Sequence, residues 1–299
     1  MENFVLILLA IAIGYFIRRL NIFSKDAQTI LNQFAIYISL PAMILIQVPK
    51  LSFSVDLIIP IIIAWFVMGI SAILILVLSK FFAFSREVTG SLMLVAILTN
   101  SSFLGIPIIN AYMGESAMPY VLVYDQLGTF IALATYGTFI ASYYSNNSKI
   151  TFKIITLKVL TFPPFLSLIV ALFLIGVEFN PMISKVLSSF ANTIIPIALV
   201  AVGLQLQFKM PKEDIKPFSV ALIVKLIVAP IIAIAICKIF SWNNEAAIVS
   251  IMEAGMAPMI TAGAIASMAG LAPRLSSAIV GYGIIISFLT TAILYKLIG

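Results

Sequence analysis

The 299-residue sequence predicts an all-α membrane protein: ten transmembrane helices forming two inverted five-helix repeats, with helices 4 and 9 broken and crossing. Three observations predict it. Hydrophobic residues make up 63% of the chain and charged residues only 9%, with a mean hydropathy of +1.20. A soluble domain carries about 25% charged residues, and a chain with so few cannot cover itself with polar surface. Apolar stretches of spanning length, about 20 residues, recur along the whole chain between short polar breaks. Finally, two proline-containing runs recur at nearly one offset. Ile38-Ser39-Leu40-Pro41-Ala42 parallels Ile194-Ile195-Pro196-Ile197-Ala198, with its proline 155 residues on, and Gly105-Ile106-Pro107-Ile108 parallels Met256-Ala257-Pro258-Met259, with its proline 151 residues on.

Each span follows from local signals. Span 1 lies near residues 3–20 and ends in Arg18 and Arg19; a basic pair after the apolar run, with no small-residue cleavage site next, reads as a retained helix and not a signal peptide. Spans 2 and 3 lie near 27–48 and 55–82. Span 4, near 88–112, is interrupted by the polar run Thr99-Asn100-Ser101-Ser102, followed by Gly105 and Pro107. Span 5, near 116–144, carries Asp125, and the polar stretch Ser145 to Lys149 then separates the first repeat, 1–145, from the second, 150–299. Spans 6, 7 and 8 lie near 151–177, 184–206 and 215–240, the last containing Lys225. Span 9, near 244–269, reads Met252-Glu253-Ala254-Gly255-Met256-Ala257-Pro258-Met259 across its middle, and span 10 lies near 273–298. Five spans per repeat is an odd number, which forces the two copies into opposite membrane orientations.

Charge placement sets the orientation. Lys and Arg in alternate connections divide twelve against four, with Lys225 inside a span. The basic side faces the cytoplasm, so both termini are expected outside, in the cell membrane. The net charge of +6 is thereby assigned to the anionic leaflet, with no nucleic-acid partner. The chain has no histidine and a single cysteine, Cys237, in an apolar run. That composition excludes a disulfide framework and argues against zinc, haem and iron–sulfur chemistry.

The candidate site sits at the two breaks. Proline removes a backbone donor and glycine permits unwound backbone, and such interruptions survive in lipid only facing protein or a wet cavity. Two broken helices at equivalent repeat positions point to a midplane binding site. The substrate-binding candidates are Thr99, Asn100, Ser101, Gly105 and Pro107 in span 4, Gly255, Met256 and Pro258 in span 9, and Lys225 in span 8. Of the eleven acidic residues, nine lie in loops or near span ends, leaving Asp125 and Glu253 inside spans, where a carboxylate costs about 2.5–3.5 kcal/mol. With Asn100 and Ser101 they form a hard-oxygen set able to hold sodium, or the carboxylates carry a proton. No metal other than such a sodium ion is expected. Tyr124, Gln126 and Thr129 flank Asp125 as hydrogen-bond partners. Two readings of Lys225 stand: it snorkels to the cytoplasmic surface, or it draws an anion inward or pairs with a carboxylate.

The opening Gly14-Tyr15-Phe16-Ile17-Arg18-Arg19-Leu20-Asn21-Ile22 and the following Tyr37-Ile38-Ser39-Leu40-Pro41-Ala42 resemble the start of the auxin efflux carrier family, which includes bacterial malate permeases and plant auxin exporters. The resemblance extends over the ten-span plan and the prolines of spans 4 and 9. It implies a fold similar to the bile acid:sodium symporters, with scaffold spans 1, 2, 6 and 7 and transport-core spans 3–5 and 8–10. It further implies alternating-access transport of a small organic anion, such as a dicarboxylate or auxin-like acid, no enzymatic activity, and dimerisation through the scaffold; coupling varies among members, so Na+, H+ and uncoupled transport all stay open. Asn100, Gly105 and Pro107 match the crossover of helix 4, Pro258 that of helix 9, and Glu253 the cation-binding glutamate of the related symporters. Here Glu253 is followed by Ala254, Gly255 and Met256, where those symporters have a polar residue, so a complete second sodium site is not expected. The connection between spans 5 and 6 is short, unlike the long loop of the plant exporters. The alternatives are a sodium-coupled symporter of the bile acid branch and, from another class, an intramembrane aspartyl protease suggested by Tyr124-Asp125. The latter requires a second aspartate sharing a proton, and no other span carries one centrally.

Overall fold

The computed structural model describes residues 2–20, 22–24, 26–50, 55–145, 161–205 and 214–298. Among them the chain is helical, with one isolated pair of extended residues and no strand. In chain order the helices are α1 (Glu2–Arg19), α2 (Ala27–Lys50), α3 (Ile58–Phe81), α4 (Arg86–Val95), α5 (Ile106–Met113), α6 (Glu115–Tyr144), α7 (Pro163–Phe173), α8 (Pro181–Leu204), α9 (Ile215–Ile239), α10 (Glu245–Ala254), α11 (Ile260–Met268) and α12 (Pro273–Ile298). Six of these, α2, α3, α6, α8, α9 and α12, are each long and apolar enough to cross a membrane. Span 4 is divided into α4 and α5, and span 9 into α10 and α11, so no piece of either reaches spanning length. The basic residues Lys25, Lys149, Lys153, Lys158, Lys209 and Lys212, and the connection after Ser145, lie outside the described residues.

Large apolar side chains stay exposed on many helices, among them Leu8, Phe16, Phe66, Ile73, Val77, Leu289 and Ile293. Water would oppose such a surface at about 25 cal/mol per Å2, whereas lipid does not. With the apolar helices, this marks a multi-pass membrane protein.

The helix ends are set by local chemistry. Ser85 accepts from the Val88 N–H at 3.3 Å to start α4, Asn180 accepts from Met182 at 2.9 Å to start α8, and Asn244 accepts from Ala247 at 3.1 Å to start α10. Each satisfies a donor that the first turn leaves free. Pro163 and Pro181 open α7 and α8, where a missing N–H costs nothing. Gly270, at φ +73°, closes α11 ahead of Pro273. Short π segments widen three of the long helices: Ala35–Ser39 in α2, Tyr124–Phe130 and Leu133–Gly137 in α6, and Val224–Val228 in α9.

The chain folds into two compact units, each drawing on both halves of the sequence. The first comprises Met1–Val55, Ser102–Leu122 and Lys158–Leu206. Its centre is the contact of α1 with α8, where Gly14 and Gly203 meet backbone to backbone. A Cβ added at Gly14 would lie 2.2 Å from the Val200 carbonyl oxygen, and one at Gly203 would lie 2.1 Å from that of Ile11. Small residues permit this approach, and packing drives it where no hydrophobic effect operates. Arg18 closes the contact by donating to the Leu204 carbonyl at 2.5 Å, and the Ser39 and Thr193 hydroxyls join α2 to α8 at 2.7 Å.

The second unit comprises Asp56–Ser101, Val123–Leu157 and Gln207–Gly299. Within it the π segment of α6 lies against α3, Gly128 meeting Ala64, and Trp65 donates to the Leu127 carbonyl at 3.0 Å. Tyr136 donates to the Met93 carbonyl at 2.8 Å, tying α6 to α4. Both helix breaks come together inside this unit.

Candidate functional site

α4 ends at Val95 and α10 at Ala254, and each is followed by a few residues that leave the helical conformation. These segments pair antiparallel. The Asn100 N–H donates to the Ala257 carbonyl and the Met259 N–H to the Leu98 carbonyl, both at 3.0 Å, which places Thr99 opposite Pro258. In this arrangement Thr99 and Pro258 form a pair that exchanges no backbone hydrogen bonds. Proline has no N–H to donate, so the break in span 9 puts it at the one position where none is required. Backbone groups freed by two broken helices thus satisfy each other in the protein interior. Gly283 of α12 makes room for the bend: a Cβ there would lie 2.5 Å from Pro258 Cδ.

Lys225 reaches this pairing from the second position of the π segment of α9. It is 1% exposed, and its Nζ donates to Thr99 Oγ1 at 2.5 Å and to the Ala254 carbonyl at 3.3 Å. The ammonium therefore caps the C-terminal end of α10, where the helix dipole is negative, and holds the extended residue Thr99. The snorkelling reading is corrected: these two acceptors hold the side chain in the interior, away from the surface. Thr99 also hydrogen-bonds Tyr124, so its hydroxyl joins α6 and α9 to the break.

The two intramembrane carboxylates differ in their surroundings. Asp125, second in the π segment Tyr124–Phe130, is 2% exposed and accepts from Ser101 Oγ and from Gln126 Nε2, each at 2.5 Å. Glu253, in the last turn of α10, is wholly buried, and neither of its oxygens has a hydrogen-bond partner. Asp125 and Lys225 both lie within electrostatic reach of it. Asn100 Nδ2, Gln126 Oε1 and Thr129 Oγ1 are likewise buried without partners. Leaving such groups unpaired costs about 1–3 kcal/mol each, more when charged. These groups lie in the same unit as the unpaired carboxylate.

The structure brings together Thr99, Asn100, Ser101, Asp125, Lys225, Glu253, Gly255, Met256 and Pro258 in the second unit. Gly105, which closes the π turn Ser101–Gly105, and Pro107, in the first turn of α5, belong to the first unit. Of the residues flanking Asp125, only Gln126 binds it as expected. Tyr124 turns to Thr99, and Thr129 Oγ1 makes no hydrogen bond. Nothing in the sequence pointed to Gly283. Asn192, a polar residue of span 7, lines a separate cavity of about 380 Å3 within the first unit, with Gln47, Lys50, Asn110 and Ser188.

The profile of the family described as Membrane transport protein matches residues 1–295, nearly the entire chain. The chain belongs to that family of membrane transporters. It is the family of the auxin efflux carriers, to which the opening motifs pointed. Two archaeal relatives fit this membership. An uncharacterized transporter of Methanocaldococcus jannaschii is 24% identical over 265 residues, covering 86% of this chain and 85% of the relative. An uncharacterized transporter of Methanothermobacter thermautotrophicus is 20% identical over 273 residues, covering 89% and 87%. This member of the family therefore carries its buried charges, Lys225, Asp125 and Glu253, around paired helix breaks inside one unit.

Proposed function

We propose that this transporter moves a small organic anion, a carboxylate, by alternating access of a transport core against a scaffold. The supporting observation is the antiparallel pairing of the two helix breaks at Thr99 and Pro258, with a buried lysine donating to both sides of it. Ten spans in two inverted repeats, with crossing spans 4 and 9, agree with the placement of those breaks at equivalent repeat positions. Scaffold spans 1, 2, 6 and 7 agree with the composition of the first unit, and core spans 3–5 and 8–10 with that of the second, apart from α5 and the start of α6. Both termini face outward in the cell membrane, and a homodimer forms through the scaffold.

The chemistry runs as follows. The helices that restart after the breaks, at Ser101 and at Ile260, turn the positive ends of their dipoles toward the breaks, which favours an anion. Lys225 adds its amine to the same interior. Glu253 carries the coupling: its two unpaired oxygens receive a proton or a sodium ion whose charge offsets the carboxylate. Transport would then be coupled because the neutralised and ionised core differ in the cost of crossing the bilayer.

Saturable counterflow of a labelled dicarboxylate in liposomes tests the reading. Asn100→Ala and Pro258→Ala should each lower the flux at least tenfold while leaving folded protein; unchanged flux in both would sink the site assignment, and non-saturable flux would indicate a channel.

A further inference from the structure

Asp125 and Glu253 lie in the same buried interior, with Lys225 also within electrostatic reach of Glu253, yet their oxygens are engaged differently. Asp125 is committed. Its Oδ1 holds the Ser101 hydroxyl, the first residue after the extended segment of span 4, and its Oδ2 holds the Gln126 amide. Both donors point at acceptors, so the pattern needs two oxygens and no proton. The outcome of the pattern is mechanical: a carboxylate on α6 pins the place where the chain leaves extended backbone and resumes helix. Glu253 is uncommitted, with both oxygens unpaired.

From this we infer that Asp125 is a positioning residue, a latch on the break of span 4, and takes no part in the ion exchange that the coupled-transport reading already gives to Glu253. Only that contrast rests on the coupled-transport reading. The latch makes a distinctive demand on substitutions. Asp125→Asn keeps an oxygen for Ser101 and presents a new N–H pair toward Gln126. The Gln126 Oε1 atom is at present without a partner, so a half-turn of its amide supplies the acceptor. The variant therefore closes the same network without a charge. Asp125→Ala cannot.

The experiment uses the purified full chain in detergent and reads thermal unfolding across a pH series, with and without sodium chloride against choline chloride at equal ionic strength. The probes are the proton and sodium themselves, so no substrate need be known. Asp125→Asn should keep the wild-type midpoint within about 2 °C and the wild-type ion dependence. Asp125→Ala and Ser101→Ala should each lower the midpoint by about 5 °C in parallel at every condition. Glu253→Gln should remove the ion dependence. An Asn variant as damaged as the Ala variant, or one that loses the ion dependence as Glu253→Gln does, would overturn the assignment. A wild-type protein indifferent to both ions would instead remove the coupling role of Glu253, while the contrast between Asn and Ala would still decide the role of Asp125.

Discussion

Lys225→Met keeps an apolar stem of similar length and removes the ammonium that holds the paired breaks. Two donated hydrogen bonds disappear, at 2.5 Å to Thr99 and 3.3 Å to the Ala254 carbonyl. Bonds from charged donors are worth about 1.5–3 kcal/mol each. Against this stands relief of the cost of burying an ammonium, several kcal/mol. The partners decide the balance. The Ala254 carbonyl sits at the end of α10, and Glu253 loses the cation within its reach, whereas Thr99 retains Tyr124. Removing one side of a buried charged network leaves the other side uncompensated, so the net effect is a destabilisation of about 2 kcal/mol. That corresponds to roughly 5 °C in the unfolding midpoint. The assay is available without engineering, because Cys237 is the sole cysteine and is buried, so a thiol-reactive fluorophore reports unfolding. Thr99→Val completes a double-mutant cycle with an expected coupling of about 1–2 kcal/mol. A Met variant as stable as wild type, with no coupling to Thr99, would refute the idea that Lys225 holds the break.

Two further substitutions test the backbone contacts directly. Gly283→Ala should destabilise by about 1–3 kcal/mol, because its methyl group meets the Pro258 ring, and adding Pro258→Ala should recover part of the loss in the same melting assay. Gly14→Ala should cost about 3 kcal/mol or more and lower the yield of folded protein, since the new Cβ meets the Val200 carbonyl and backbone cannot swing aside; an unchanged midpoint would mean α1 and α8 can separate freely.

Much of the fold was legible because lipid imposes a simple rule. A chain must present long apolar helices, so the predicted spans 27–48, 55–82, 116–144, 184–206, 215–240 and 273–298 coincide closely with α2, α3, α6, α8, α9 and α12. The breaks were legible too, since Asn100 to Ser102 with Gly105 and Pro107, and Gly255 with Pro258, are residues that a continuous membrane helix avoids. What joins the breaks was not. Thr99 and Pro258 are separated by well over a hundred residues, and no local pattern announces that they lie opposite each other, with the carbonyls and N–H groups of their neighbours paired. Lys225 illustrates the same limit: its position in span 8 allowed two opposite readings, which only the positions of Thr99 and Ala254 separated.

By itself, then, the sequence determined the solvent, the spans, the points of interruption and the short roster of buried charges, because each of these is a property of a residue and its near neighbours. Tertiary structure decided how that roster divides. Asp125 and Glu253 carry the same functional group, and their hydropathy cost is the same in any window of sequence. One is satisfied by Ser101 and Gln126 and the other by nothing, because hydrogen bonds are made over about 3 Å and depend on which helices the fold brings within that distance.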